Sequence, residues 1–136
     1  MVSAGLGRFI WPAKGQVLSG FGVTGVGRRN DGVDLSIPAG TEVVAAASGE
    51  VVYAGDQVPG FGNLVLIKHA SGWVSAYAHL GTVSVHMRQK INQGEPLGTV
   101  GMTGGVSQPQ LHFELRYAPT PSEKAKPLDP LLVLPK

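Results

Sequence analysis

The sequence predicts an all-β domain, on three observations. Short apolar runs alternate residue by residue, as in Val33-Asp34-Leu35-Ser36-Ile37 and Leu111-His112-Phe113-Glu114-Leu115, the period of a strand with one buried face. Twenty glycines and ten prolines separate such runs without a fixed period, which marks many tight turns. The chain has 136 residues, 43% hydrophobic and 15% charged. That is enough for one folded domain with a real core, and too little for two comfortable ones.

Residues 1–8 read as a lead-in or linker, residues 9–118 as the β domain, and 119–136 as a Pro-rich tail docking on it. Phe9-Ile10-Trp11-Pro12 is laid across the core, with Trp11 as a packing anchor. Gln16 to Phe21 forms a short strand and leads into Gly22–Arg29, a glycine-rich loop. Its glycine spacing matches no phosphate cradle, and no helix follows it. Val33 to Ile37 is a strand carrying Asp34 on its polar face, closed by a Pro38-Ala39-Gly40-Thr41 turn. Val43 to Ala47 and Gly49 to Gly55 are further strands. Asn63 to His69 and Trp73 to His79 form a hairpin around Ala70-Ser71-Gly72. Alternation groups Val65, Ile67 and His69 on one face of its first strand, and Trp73, Ser75, Tyr77 and His79 on one face of its second. Between Thr82 and Met102 the rhythm is β-turn-β, and Thr103–Ser107 is a loop that delivers the chain to a strand over Pro109–Leu115. Five prolines after Tyr117 exclude a propagating strand or helix there, leaving a single docked turn near Pro127–Leu132.

Composition narrows the function classes. The net charge is +2, with no basic stripe and no interleaved aromatics, which argues against nucleic-acid binding. The absence of cysteine removes disulfides, thiol catalysis and thiolate metal sites. No apolar run reaches the length of a membrane span, and Met1–Gly5 shows no leader pattern; it reads as the start of a piece of a longer protein. The chemistry-bearing candidates are Asp34, His69, His79 and His112, with Asn30, Gln110 and Glu114 around them. His86, beside Met87 and Arg88, reads as a solvated surface residue, and Arg28 and Arg29 most simply as solvated loop charges. Glu114 reads as the partner of a nearby Arg or Lys.

Four motifs stand in a telling order: Asn30-Asp31-Gly32-Val33-Asp34, Tyr77-Ala78-His79-Leu80, Val100-Gly101-Met102-Thr103-Gly104 and Gln110-Leu111-His112-Phe113-Glu114-Leu115-Arg116. In order and spacing the chain resembles the LytM/lysostaphin-type zinc metallopeptidases from about Trp11 to Pro130. The resemblance implies a compact, mainly antiparallel β-sheet domain with a surface groove, of the duplicated-hybrid-motif type. Carried over, it aligns Asp34 and His112 with zinc ligands and His79 with a catalytic histidine. It sets Asn30 where the third ligand, a histidine, belongs, and Gln110 where a second catalytic histidine belongs. An amide oxygen is a poor zinc ligand, and Gln110 cannot take up a proton near neutral pH. No metal and no catalytic residue is therefore expected, and no cofactor. Relatives place a glycine where Arg88 stands, so that turn must avoid positive φ or carry strain.

The combination is similar to the degenerate NlpD/DipM-type subgroup of the family. That likeness implies a non-catalytic regulator of peptidoglycan remodelling in the Gram-negative periplasm at the division site, joined upstream in the whole protein to peptidoglycan-binding modules. Its partners would be a peptidoglycan amidase or other wall hydrolase, and peptidoglycan itself. Asn30, Asp34, His69, Tyr77, His79, Gln110 and His112 are the groove candidates, though His69 also fits a hydrogen-bonded structural place and Tyr77 a cap on the core. The alternative is an active zinc endopeptidase cutting peptidoglycan peptides, with His69 recruited as a ligand. A third class, a carrier domain, is suggested by Gly49-Glu50-Val51-Val52, which resembles a lipoyl or biotinyl hammerhead, but no suitably flanked lysine is present.

Overall fold

A computed structural model describes residues 2–136; Met1, the first residue of the lead-in, lies outside the described residues. The strands are β1 (Gln16–Ser19), β2 (Gly22–Gly25), β3 (Arg28–Asn30), β4 (Val33–Ser36), β5 (Glu42–Val44), β6 (Gly49–Gly55), β7 (Asn63–Lys68), β8 (Trp73–Val83), β9 (Lys90–Ile91), β10 (Pro96–Val100), β11 (Gln110–Tyr117) and β12 (Lys126–Leu128). The expected all-β architecture is met. Ten strands form one antiparallel sheet in the order β1-β4-β11-β8-β7-β6-β9. β10 bridges β5 and β8, and β12 pairs with β11.

Alternation positions the core. Val33 and Leu35 of β4, Val65 and Ile67 of β7, Trp73 and Tyr77 of β8, and Leu111, Phe113 and Leu115 of β11 are fully buried on one face. Their neighbours in sequence, Asp34, Ala76, Ala78, His112 and Glu114, take the other. There, Leu64, Ala76 and Ala78 form a small second cluster with Phe61 and Tyr53.

Three segments differ from expectation. The glycine-rich Gly22–Arg29 is not a plain loop: β2 and β3 pair as a two-stranded ribbon, separate from the main sheet. The Pro-rich tail does contribute a strand. β4 covers the edge of β11 from Gln110 to Phe113, and β12 covers it from Leu115 to Tyr117; Pro127 faces Arg116 in that pairing, an edge position where a missing N–H costs no interior ladder bond. Val133 and Leu134 then join the core after a 3-10 turn at Pro130–Leu132, which Asp129 caps by accepting from the Leu131 N–H. The lead-in carries one helical turn, Val2–Gly5, where Gly5 lies against Trp73 and Val133 with no room for a Cβ. Arg88 takes φ 74, so the turn keeps the conformation that suits glycine and carries the strain.

Candidate functional site

The polar face of β4 and β11 builds the site. Across their antiparallel register Asp34 stands opposite His112, so both side chains project to the same side. The His112 ring donates from Nδ1 to Asp34 Oδ1 (2.6 Å) and from Nε2 to Glu114 Oε2 (2.7 Å). Arg116 Nε donates to Glu114 Oε1 (2.8 Å), and its Nη2 lies 3.7 Å from Asp31 Oδ2. Asp31 in turn accepts from Arg29 Nε at 3.1 Å. Opposite charges thus alternate along one chain of contacts. Burial alone would lower the His112 pKa, but the two carboxylates outweigh it and raise the pKa to about 9. His112 is therefore an imidazolium at neutral pH. Burial pushes Glu114 upward, yet His112 and Arg116 overcome it and hold its carboxyl below the usual range.

Asn30 closes the site at the end of β3, almost fully buried. Its Nδ2 donates to Ser19 O (3.3 Å), Ser19 Oγ (3.2 Å) and Asp34 Oδ2 (3.2 Å), and its Oδ1 accepts from the Gly32 N–H (3.0 Å). Gly32 is needed there, because a Cβ would strike the Phe113 carbonyl.

His79 arrives by a route that alternation does not describe. Regular pleating would put it on the core face with Tyr77. Its backbone is left-handed, φ 63, and the β7–β8 register shifts beside it. The kink turns its ring to the groove, 6.1 Å from the His112 ring. Nδ1 donates to Thr103 O (2.7 Å), which leaves Nε2 with the lone pair. Burial, aided by the positive charge on His112, lowers its pKa against the Thr103 carbonyl and Asp34, so this ring is neutral.

These residues line a groove of about 540 Å³, with Asn30, Asp34, His79, Gln110 and His112 along it and Phe61 and Arg28 on its walls. A cleft of about 600 Å³ beside His86 and Met87 is as large but gathers only Asp56 and His86 as ionisable groups; the clustered carboxylate and imidazoles lie in the former. Two expected groove residues lie elsewhere. Tyr77 is fully buried in the core, where its hydroxyl accepts from the Ala46 N–H (2.9 Å) and meets Ser75 Oγ (2.7 Å). His69 is buried at the far end of β7, with Nδ1 donating to Ser48 O and Nε2 accepting from Ser75 Oγ, each at 2.7 Å. Both share a face with Val65, Ile67 or Trp73, and that parity is the signal that places them inside. The sequence reading missed Ser19, Phe61 and Thr103 as neighbours of the site, since each comes from a distant element; Glu114 was legible, two residues from His112 on the same face.

The side chains present do not fit zinc. Ligand atoms around a tetrahedral zinc at 2.0–2.2 Å lie roughly 3.3 Å apart. Asp34 Oδ1 and His112 Nδ1 are 2.6 Å apart, the spacing of a shared proton. Both His112 nitrogens are committed to carboxylates, and the Asn30 amide oxygen is committed to Gly32. Among the described residues no three His, Cys, Asp or Glu side chains converge as metal ligands.

The groove, floored by the sheet and walled by the β2–β3 ribbon, defines a LytM-type domain. Residues 28–130 match peptidase family M23, and the chain belongs to that family. It is 61% identical over 136 residues to cell division protein DipM of Caulobacter vibrioides (strain NA1000 / CB15N), covering 100% of this chain and 22% of that protein. To murein hydrolase activator NlpD of Escherichia coli (strain K12) it is 41% identical over 126 residues, 93% of this chain and 31% of that one. The catalytic domain of the antimicrobial peptidase lysostaphin from Staphylococcus simulans superposes with a TM-score of 0.74 at 28% identity, covering 85% of this chain and 89% of that one. The likeness to NlpD/DipM-type domains expected from the sequence is thus met. The chain spans less than a third of the length of these two curated relatives. Among the described residues no helix is long and apolar enough to cross a membrane.

Proposed function

We propose that this domain is a non-catalytic member of family M23 that activates a peptidoglycan amidase during cell division, with its groove as the binding site for that partner and for peptidoglycan. The observation that carries this reading is the amide at Asn30, where a third metal ligand would stand: its oxygen accepts from the Gly32 N–H and its nitrogen donates to Ser19 and Asp34. Asp34 and His112 alone leave a metal ion short of the three protein ligands of a catalytic zinc site, and so without the means of making a zinc-bound water or polarising a scissile carbonyl. Gln110, whose Nε2 donates to Gln108 O at 3.3 Å, offers no proton acceptor of matched pKa. The names of the relatives point the same way, one a cell division protein and the other a murein hydrolase activator. On the same grounds the domain works in the Gram-negative periplasm at the division site, without a metal cofactor. Asn30, Asp34, His79, Gln110 and His112 form the contact surface.

The competing reading is a zinc endopeptidase, favoured by the lysostaphin-like fold and by the Nε2 of His79, which has no hydrogen-bond partner among the described residues. Three measurements on the purified protein separate the two: zinc content, solubilisation of peptidoglycan by the protein alone, and stimulation of a cognate amidase. The activator reading expects substoichiometric zinc, no autonomous cleavage, and stimulation. Stoichiometric zinc with cleavage would sink it. The double substitution Asn30→His with Gln110→His is expected to gain zinc binding; continued failure to bind would mean that the groove itself has departed from metal-site geometry.

A further inference from the structure

The β2–β3 ribbon that walls the groove has little of its own to hold it there. Among the described residues it pairs only within itself, and a lone two-stranded ribbon is marginal in water. Val23 is 80% exposed and Val26 104%, so no core anchors its tip. Gly22 at φ 107 opens β2 and Gly27 at φ 69 lies in the turn, adding freedom to any opened state. Yet Thr24, Gly27 and Arg28 line the groove, so the position of the ribbon sets the width of the site.

Among the described residues, every side-chain hydrogen bond from the ribbon to the main sheet is made by Asn30. Its Nδ2 reaches Ser19 of β1 and Asp34 of β4, two residues that are register partners across those strands. Its Oδ1 takes the Gly32 N–H and sets the turn into β4. Arg29 stacks over Phe21 and pairs with Asp31, which lies 3.7 Å from Arg116 of β11; this second link to the main sheet is ionic, indirect and exposed to solvent. A short amide supplies two donor hydrogens and an acceptor at once, and all are used here.

We propose that Asn30 is a positioning residue: its amide clamps the base of the β2–β3 ribbon to β1 and β4, and so holds the groove wall in place without a metal. The residue that breaks the metal-ligand pattern thereby takes over the cross-strand tie that a ligand would supply. The clamp stands on these contacts alone; its consequence for partner binding rests on the activator reading.

The test is amide hydrogen exchange on the intact protein. In Asn30→Ala the amides of Val23, Thr24, Arg28 and Arg29 exchange faster by roughly tenfold or more, the equivalent of one lost net hydrogen bond or more. Amides of β8 and β11 stay as in the parent. Asn30→Asp, which keeps the Gly32 acceptor but loses both donors, loosens the ribbon similarly, and Ser19→Ala does so more weakly. Unchanged ribbon exchange in Asn30→Ala and Asn30→Asp overturns the proposal, as does a uniform rise through β8 and β11 in all three variants. Treating the parent with EDTA, or with added zinc, leaves ribbon exchange as it was; loosening by EDTA would show that a metal holds the wall and would also overturn it. Amidase stimulation measured in parallel keeps the two readings apart. A loosened ribbon with full stimulation upholds the clamp and counts against the groove as the partner site.

Discussion

Two buried histidines in this domain are in opposite states. His69 and His112 are 6% and 8% exposed, so burial weighs on both in the same direction. His112 lies between the Asp34 and Glu114 carboxylates and is charged. His69 lies between a backbone carbonyl and a hydroxyl, with the Arg8 charge nearby, and burial leaves its pKa below the ordinary value. One belongs to an ionic network at the groove; the other begins a neutral relay, His69–Ser75–Tyr77, that ties the β5–β6 connection to β8. The difference teaches that the partner, and not the depth, decides whether a buried imidazole holds a proton.

The largest expected effect breaks the charged side. Glu114→Ala leaves His112 and Arg116 without their shared counter-ion, and stability in urea should fall by roughly 3–5 kcal/mol. A loss below about 1 kcal/mol, the range of exposed pairs, would mean that the network is not charged in the folded state.

Next comes pH. The folded pKa of His112 is about 9, above its unfolded value near 6.5, so its contribution is fully present below pH 6.5 and is lost as pH rises through 9. The shift corresponds to roughly 3 kcal/mol. Urea midpoints from pH 6.5 to 10 should show this decline in the parent and a flatter one in His112→Gln; parallel profiles would refute the assignment.

The neutral relay gives smaller effects. Tyr77→Phe removes the acceptor for the buried Ala46 N–H and the partner of Ser75 Oγ, and should cost about 1–3 kcal/mol. A cost near zero would show that the relay is dispensable.

The smallest effect concerns His69 itself. Its folded pKa lies below 6.5, so the unfolded chain takes up a proton first, and stability falls as pH drops through 6.5; His79 adds in the same sense. Ring-proton NMR should show His69 titrating below 6.5 and His112 far above. A His69 that titrates above 6.5 would erase the contrast.

How much of this was legible follows from which forces are local. Alternation set the faces of β4 and β11, and so the meeting of Asp34 with His112, because a pleated strand leaves no other choice once one face is apolar. The same parity, applied to β7 and β8, already groups His69 and Tyr77 with the core; the motif around Tyr77 and the polar atoms of both made them look like groove residues, and only the buried partners Ser48, Ser75 and Ala46 show how they are satisfied inside. The strand at Lys126–Leu128 was hidden because proline argues against strands, and only the tertiary structure reveals that β4 leaves the last half of β11 uncovered.

What the sequence alone determined, then, is the all-β fold, the core faces of β4 and β11, the family, and the presence of amides at Asn30 and Gln110, since these depend on residue type and period. The tertiary structure decided three other matters: the left-handed kink that turns His79 into the groove, the two carboxylates that keep His112 protonated, and the three-way amide clamp at Asn30. Each depends on atoms brought together from distant parts of the chain, where distance and desolvation, which no local pattern encodes, set the outcome.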